Sequence, residues 1–327
     1  MMRNLLVAVL FLLLATPSAS QIVMSKILYT ASDGYTPEAQ GLTASMQAES
    51  ATFFVHGGDV TFTDAHPTEC ASWPTLQFYC SPAILTDAQV EAGWQTIRWP
   101  LLQLDRAISY GNHEYGAKIK PDPFVASQFG NQPVYTSRVL AVPNGTALLV
   151  FLNSNLSVAV GSPQRIWLEQ TLNTYVTAPW KLVFFHGAPW SITKPSLPLR
   201  ELTALFDAHL VDIVVSGHVL WYERTHQVIA QALGYTPCQD GLCVTATGSA
   251  FYQSVGRVYV NAGCGGMRCV GTPTNPLQLP KQPKVYNWGY VAVRHHYAMI
   301  TWSVDGTLLT FATKDATGTL DAFTILR

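Results

Sequence analysis

The sequence has few charged residues and no excess of either sign. Only 12% of its 327 residues are Asp, Glu, Lys or Arg, about half the ~25% typical of soluble proteins. Lys and Arg total 19 against 20 for Asp and Glu, so the chain lacks the basic surface that nucleic acid or an anionic membrane attracts. Because 48% of the residues are hydrophobic, a disordered chain is excluded as well. The composition predicts a folded protein with a large core and no nucleic-acid partner.

Apolar runs long enough to cross a membrane are also absent. The longest run, residues 5–15, follows a short basic segment and precedes the small residues Ser18 and Ser20. A spanning helix needs about 20 apolar residues, so residues 1–20 are typical of a signal peptide that is cleaved after Ser20. An uncleaved anchor is the alternative, and the shortness of the run disfavours it. We expect residues 21–327 to form a mature chain without stable membrane insertion, either secreted or in a lysosome-like compartment.

Six cysteines form three local couples, and no CxxC pair is present. In an exported chain an even number of cysteines predicts disulfide bonds, and the missing CxxC spacing disfavours zinc ligation. Nearness along the chain favours the couples Cys70 with Cys80, Cys238 with Cys243, and Cys264 with Cys269. A disulfide bond between the first couple would cross-link residues 64–82, which we expect to form a surface insertion. Asn144 and Asn155 begin glycosylation sequons, as expected of a secreted glycoprotein.

Short β-rich runs alternate with helical stretches along the chain. The predicted strands are residues 27–32, 52–56, 107–110, 147–153, 182–186, 213–216 and 258–261. Thr86 and Ser162 are each typical N-cap residues of a helix, and Leu202, Leu205 and Phe206 mark a third helical stretch. Near the end of the chain, an Asp-Gly pair at 305–306 between two apolar runs predicts an antiparallel hairpin. The pattern indicates a single α/β domain over residues 21–327.

Polar residues follow five of the predicted strands. They are Asp33, Asp59, the run Asn112-His113-Glu114, His186 and His218. Each alone has a plain explanation, such as a turn aspartate or a structural histidine. Five in succession are better explained by one site, because chemistry in layered α/β sheets gathers where strands end. All are metal-ligand types, so the pattern predicts a metal centre.

The motifs resemble those of the calcineurin-like metallophosphoesterase superfamily, and more closely its purple acid phosphatase branch. The matching stretches are Gly-Gly-Asp59 through Asp64, Gly-Asn112-His113-Glu114, Phe-Phe-His186-Gly-Ala-Pro, and Val-Asp212 through Gly217-His218 and on to Arg224. Residues 164–169 and 258–266 add support outside the site. The resemblance covers almost all of the mature chain. It implies a four-layer sandwich of two mixed β-sheets flanked by helices, in a short form without the N-terminal β domain of plant-type enzymes.

The resemblance also implies a ligand set for one or two metal ions of the Fe, Zn or Mn type. In the family a bridging aspartate joins two metal ions, and a histidine faces the phosphate. Asp59 matches the bridge, His113 matches the phosphate-facing histidine, and Asp33 matches a ligand of the first metal. The other ligands of the second metal match Asn112, His186 and His218. Two first-metal ligands are replaced, by Phe62 and Leu220, whose side chains cannot bind a metal ion.

Several nearby residues are candidates to compensate for these losses. Tyr35, two residues after Asp33, could offer a phenolate ligand, although a loop aromatic is the favoured interpretation. His56, Asp64 and His66 lie close to Asp59 in sequence, and a structural or surface role is favoured for them. Lys194 could supply charge to a phosphate, but an exposed loop lysine is the simpler interpretation.

Two functions remain open from the sequence. The first is a secreted metal-dependent phosphomonoesterase of the acid phosphatase type, acting on a phosphorylated small molecule or protein. The second is a catalytically inactive secreted glycoprotein that keeps the fold and has a binding or structural role. His113 favours the enzyme, since a folded scaffold has no need of it, whereas Phe62 and Leu220 favour the inactive relative. A phosphodiesterase is a lesser variant of the first hypothesis.

Overall fold

The computed structural model describes residues 25–33, 36–61, 86–115, 120–192, 194–229, 244–266, 269 and 288–327. Several of the residues that the sequence analysis singled out lie outside this part of the chain, namely residues 1–20, Tyr35, Phe62, the insertion 64–82 and the couples Cys70 with Cys80 and Cys238 with Cys243. Among the described residues, no helix is long and apolar enough to cross a membrane.

Sixteen strands are present in the described part of the chain. In order they are β1 (Ile27–Thr30), β2 (Phe53–His56), β3 (Asp105–Ile108), β4 (Thr136–Val142), β5 (Gly145–Phe151), β6 (Trp180–Phe185), β7 (Ile213–Ser216), β8 (Tyr222–Thr225), β9 (Gln227–Val228), β10 (Val244–Ala246), β11 (Ala250–Tyr252), β12 (Val258–Ala262), β13 (Trp288–Ala292), β14 (Tyr297–Trp302), β15 (Leu308–Asp315) and β16 (Gly318–Leu326). Each of the seven predicted β-rich runs overlaps one of these strands.

The helices lie between the strands as the capping signals indicate. They are α1 (Pro37–Gln47), α2 (Asp87–Arg98), α3 (Asn112–Tyr115), α4 (Pro123–Gln128), α5 (Pro163–Thr174), α6 (Leu197–Arg200) and α7 (Thr203–Ala208), with a short 3-10 turn at Leu101–Gln103. Thr86 starts α2 through a capping box with Gln89, and the Ser162 side chain accepts from Arg165 N at the start of α5. Both predicted helix starts are confirmed.

Two seven-stranded mixed sheets form the body of the protein. The strand order is β11-β16-β15-β14-β1-β2-β3 in the first sheet and β13-β8-β12-β7-β6-β5-β4 in the second, with β9 and β10 as a separate pair. Strands β1, β2 and β3 run parallel, and so do β5, β6, β7 and β12. The carboxyl ends of these parallel strands therefore meet at one edge of each sheet.

The two sheets face each other across a buried core. Alternating strand residues enter it from both sides, so that Tyr29 stacks on Phe184 at 6.0 Å between ring centres and Phe53 on Phe151 at 6.5 Å. The intervening residues face outward, against α1 and α2 on the first sheet and α5 to α7 on the second. This confirms the predicted α/β architecture of two mixed sheets flanked by helices.

The C-terminal region forms the antiparallel hairpin that the Asp-Gly pair predicts. Strands β14 and β15 pair in antiparallel register, and Gly306 adopts a φ of 66° in the turn between them. A second hairpin adds β16, which the sequence analysis did not identify. Helix α1 was also missed, although Thr36 followed by Pro37 repeats the signal that marks the start of α5.

Candidate metal centre

The candidate site lies where the carboxyl ends of the two sheets converge. Three hydrogen bonds connect the two sheets at the carboxyl ends of their parallel strands and in the loops that follow. Ser109 Oγ donates to the Phe184 carbonyl at 2.9 Å, and Ser32 Oγ donates to the Gly217 carbonyl at 3.0 Å. The third joins His186 Nδ1 to the Gly57 carbonyl at 2.7 Å. The site is therefore built on both sheets, and its geometry is fixed by the contact between them.

Three of the predicted ligands come together at this junction. One donor atom each of Asp59, His186 and His218 lies within 4.8 Å of the other two. His186 Nε2 is 2.9 Å from Asp59 Oδ2 and 3.1 Å from His218 Nδ1. Asp59 and His186 are buried and His218 is half-buried. The arrangement offers a carboxylate and two imidazoles at the floor of the site, with its open side at His218.

The tautomer of His186 shows that this donor set fits a metal ion. Since its Nδ1 faces the Gly57 carbonyl, Nδ1 carries the proton and donates it. Nε2 of the neutral ring is then an unprotonated nitrogen directed at the other two donors. A ligating histidine that donates its second N–H to a backbone carbonyl is the usual arrangement at metal sites, and carboxylate and imidazole ligands suit Zn, Mn and Fe.

The charges of Asp59 and the two histidines depend on one another. Burial opposes ionisation of Asp59, but the His186 imidazole overcomes it and lowers the pKa of the Asp59 carboxyl well below its usual range. Burial also opposes protonation of His186, yet the Asp59 carboxylate raises the pKa of His186 above its usual value. Burial and the neighbouring His186 lower the pKa of His218 to about 4. An anionic Asp59 and a neutral His218 are the forms that bind a cation, and a cation at this position would displace the proton that Asp59 favours on His186.

Glu114 shapes the loop that carries Asp59. Its buried carboxylate accepts from the backbone N–H groups of Asp59 at 2.9 Å, Val60 at 2.6 Å and Gly111 at 2.5 Å. Asp59 has a φ of 57°, a left-handed conformation that is uncommon outside glycine. Glu114 compensates for it by binding the N–H groups that the turn exposes. The sequence analysis named Glu114 as part of a polar run but gave it no role.

Asn112 and His113 open helix α3 beside the cluster. The backbone N–H of His113 donates to Asp59 Oδ1 at 3.2 Å, and its side chain is half-buried. Asn112 is exposed at the first position of the helix. The structure thus brings His113 next to Asp59, with Asn112 one residue before it, while a ligand role for Asn112 and a phosphate-facing role for His113 stay predictions.

Asp33 is not part of the cluster. Its carboxylate is fully buried and forms an ion pair with Arg98, whose Nη2 lies 2.7 Å from Oδ1 and whose Nε donates to Oδ2 at 2.9 Å. His56, at the end of β2, contacts the same carboxylate instead of the metal cluster. Sequence reasoning missed Arg98. The available signal was its place on the buried face of α2, in line with Val90 and Trp94 at intervals of four.

Two other predicted features are placed by the structure. Leu220 is half-buried two residues after His218, where its alkyl side chain offers no donor. Cys264 and Cys269 form a disulfide bond, with Cα atoms 5.5 Å apart, which agrees with one of the three expected couples. His295 lies beside this disulfide.

Comparison with known proteins identifies the family. Residues 35–222 match the model of the calcineurin-like phosphoesterase family, so the chain belongs to that family. The family motifs noted in the sequence, from Asp59 to His218, fall within the matched residues.

This chain spans about a third to a half of the length of the purple acid phosphatases that it matches. A purple acid phosphatase of Glycine max is 28% identical over 170 residues, which cover 50% of this chain and 33% of that protein. A purple acid phosphatase from yellow lupin (Lupinus luteus) seeds has a similar structure, with a TM-score of 0.63 and 15% identity over 93% of this chain and 54% of that one. GAP50, the anchor in the inner membrane complex of Plasmodium, has a TM-score of 0.59 and 11% identity over 93% and 89%. At these identities the two structures show a shared fold.

Proposed function

We propose that this protein is an exported, metal-dependent phosphomonoesterase that works with a metal ion held by Asp59, His186 and His218. The observation that supports it most directly is the His186 side chain, whose Nδ1–H is fixed on Gly57 while Nε2 lies 2.9 Å from the Asp59 carboxylate. A scaffold has no need of three converging donors, two of them buried, since burying polar groups costs free energy unless they are compensated. Bound to them, a metal ion would act as a Lewis acid and lower the pKa of a water ligand.

His113 is the residue that would assist bond cleavage. Its backbone N–H donates a hydrogen bond to Asp59 Oδ1, which fixes the position of the half-buried residue beside the cluster. A histidine there can hold a proton for the leaving oxygen of a phosphate ester. Asp59 and His186 are buried and contact each other, so neither is placed to transfer that proton.

Lys194 would supply positive charge to the phosphate. It lies in the loop after β6, which is closed by Ser196 N donating to the Ala188 carbonyl at 2.7 Å and by Lys194 N donating to Ser191 Oγ at 3.2 Å. Lys194 lies near the site, since its charge, after burial and His186, is among the causes that lower the pKa of His218. An exposed ammonium at the open side of the cluster suits a dianionic phosphomonoester.

Replacement of Lys194 by methionine is expected to raise KM for an aryl phosphate about tenfold, a loss of about 1.4 kcal/mol in binding, while kcat changes less. The reason is the loss of one charge that contacts the phosphate in ground and transition state alike. Steady-state kinetics at constant ionic strength measure it. Lys26→Met is the matched control, because Lys26 lies at the amino end of β1 and contacts Glu49. An unchanged KM in Lys194→Met would remove Lys194 from the site.

The class of ester can be tested by comparing an aryl phosphate with the corresponding bis-aryl phosphate under the same metal loading. We expect faster turnover of the monoester, since it offers the second negative charge that Lys194 would bind. Faster turnover of the diester would assign the protein to the phosphodiesterases of its family.

The second candidate function is a catalytically inactive binding or structural protein. It is supported by Leu220, which offers no ligand, by the engagement of Asp33 with Arg98, and by the fold shared with a Plasmodium anchor protein. Such a protein would turn over neither ester at any metal concentration.

Export predicts glycosylation, and the two sequon asparagines, both exposed, differ in the number of hydrogen bonds that Nδ2 makes. Asn144 is exposed in the β4–β5 turn, where Nδ2 makes a hydrogen bond to the Asp305 carbonyl. Asn155 Nδ2 contacts the Gly111 and Tyr110 carbonyls and Asn153 Oδ1. A glycan on Nδ2 of Asn155 would displace contacts that support the loop before α3.

In the protein secreted from eukaryotic cells, we therefore expect Asn144→Gln to remove glycan mass and Asn155→Gln to leave the mass unchanged. Intact-protein mass spectrometry before and after glycosidase treatment measures both. A full glycan at Asn155 would show that these contacts do not protect it.

A further inference from the structure

We propose that the guanidinium of Arg98 is a built-in cation that takes up the coordination sites of Asp33, so that the centre binds a single metal ion. The count of metal ions rests on the proposed function, whereas the pairing of Arg98 with Asp33 does not. The inference replaces the ligand role that the family resemblance implies for Asp33.

The hydrogen bonds of Asp33 leave no room for a metal ion. Oδ1 accepts from Thr30 Oγ1 at 2.9 Å and lies 2.7 Å from Arg98 Nη2. Oδ2 accepts from Arg98 Nε at 2.9 Å and lies 2.9 Å from His56 Nε2. A carboxylate has about four acceptor positions, and all four are in use. The Asp33 side chain is also completely buried, as is that of Arg98.

Arg98 is held in place from three further directions. Its Nη1 donates to Thr43 Oγ1 at 2.7 Å, and its Nη2 donates to the Gly265 carbonyl at 3.1 Å. Met46 of α1 packs against the same guanidinium. A buried arginine cannot lose its charge, so it requires a permanent anion, and Asp33 is that anion. The bidentate pairing gives Asp33 the positive charge that a metal ion would otherwise provide.

The ion pair also supports the loop of the remaining metal site. Gly58 N donates to His56 Nδ1 at 3.1 Å, so the proton of the neutral ring is on Nε2 and is donated to Asp33. Asp33 N donates in turn to the Asp59 carbonyl at 3.1 Å. Gly58 has a φ of 92° and Asp59 one of 57°, two left-handed residues in succession. The chain from Arg98 through Asp33 and His56 therefore positions the ligand Asp59.

The first arm of the test measures the pairing in protein treated with a chelator. Thermal unfolding is followed for Arg98→Met, Asp33→Asn and the double variant. Each single variant leaves a buried group without its partner, so we expect Tm to fall by about 5 °C or more, and the double variant to recover part of that loss. Arg294→Met is the matched control, because it removes an arginine that is 62% exposed and pairs with Asp315 at the surface, and it is expected to shift Tm by about 1 °C or less. Additive losses at Arg98 and Asp33 would overturn the pairing.

The second arm counts metal ions per chain by mass spectrometry of the metal after gel filtration. We expect one in the wild type, one in Asp33→Asn, and still one in the double variant Phe62→Tyr/Leu220→His, which restores two family ligands. A second ion in the wild type or in the double variant, or the loss of the ion in folded Asp33→Asn, would overturn the proposal. Absence of hydrolysis with one ion bound would refute the proposed function and leave the inference standing.

Discussion

Replacement of His186 by alanine is expected to give a folded protein that retains no metal ion and hydrolyses no phosphate ester. His186 Nε2 lies between the donors of Asp59 and His218, and without it the two do not form a chelating set. Loss of outer partners of a metal ligand alone costs roughly 10–100-fold in affinity, so loss of the central ligand should exceed about 100-fold. Metal content after gel filtration and hydrolysis of an aryl phosphate measure the two effects.

The matched control is His209→Ala, since His209 lies at the end of α7, outside the cluster. It should keep both metal and activity. Asn112→Ala belongs in the same series, because the resemblance makes Asn112 a ligand while the structure shows only that it lies next to Gly111. Unchanged metal content in His186→Ala would contradict the ligand assignment, and unchanged content in Asn112→Ala would remove that residue from the set.

Replacement of Glu114 by alanine is expected to destabilise the protein by about 3 kcal/mol. The change leaves the backbone N–H groups of Asp59, Val60 and Gly111 without their acceptor, and hydrogen bonds to a charged group are worth about 1.5–3 kcal/mol each. The total is smaller than their sum, because burial and the nearby Asp59 carboxylate raise the pKa of Glu114 and so offset part of the gain. Urea unfolding of chelator-treated protein measures the loss.

Two further variants, one conservative and one a surface control, show whether the loss of stability in Glu114→Ala comes from these hydrogen bonds. Glu114→Gln keeps one carbonyl acceptor and should lose less than Glu114→Ala. Glu169→Ala removes a partly exposed carboxylate that pairs with Arg165 one helical turn away, and should change stability by about 0.5 kcal/mol or less. A loss in Glu114→Ala no larger than that in Glu169→Ala would show that Glu114 does not support the Asp59 loop.

The sequence predicts the fold well because its signals are local. Strand alternation, the caps at Thr86 and Ser162 and the Asp-Gly turn each depend on a few adjacent residues, and each is confirmed. The position of the site also follows from local order, since the carboxyl ends of parallel strands meet at one edge. Edge strands such as β4 and β13 were missed, because an edge strand depends for its stability on pairing with a strand that is distant or unmarked in the sequence.

The roles of individual site residues depend on contacts that are distant in sequence. Asp33 follows β1 as a ligand would, but its side chain meets Arg98, which is 65 residues away. Glu114 follows Asn112 and His113 in the sequence, yet its carboxylate accepts hydrogen bonds from the backbone of the loop that carries Asp59. Residue type and spacing indicate which groups could bind a metal ion. The direction in which each side chain points is decided by the tertiary partner that compensates its charge.

The most direct test of this account is hydrolysis of an aryl phosphate by the chelator-treated, secreted protein after addition of Zn, Mn or Fe, from acidic to neutral pH. The account predicts no turnover without metal and restored turnover with at least one of the three, and a loss of about 100-fold or more in His113→Ala that still binds the metal ion. Turnover in the presence of chelator, equal turnover in His113→Ala, or no turnover with any of the metals would contradict a metal-dependent phosphomonoesterase.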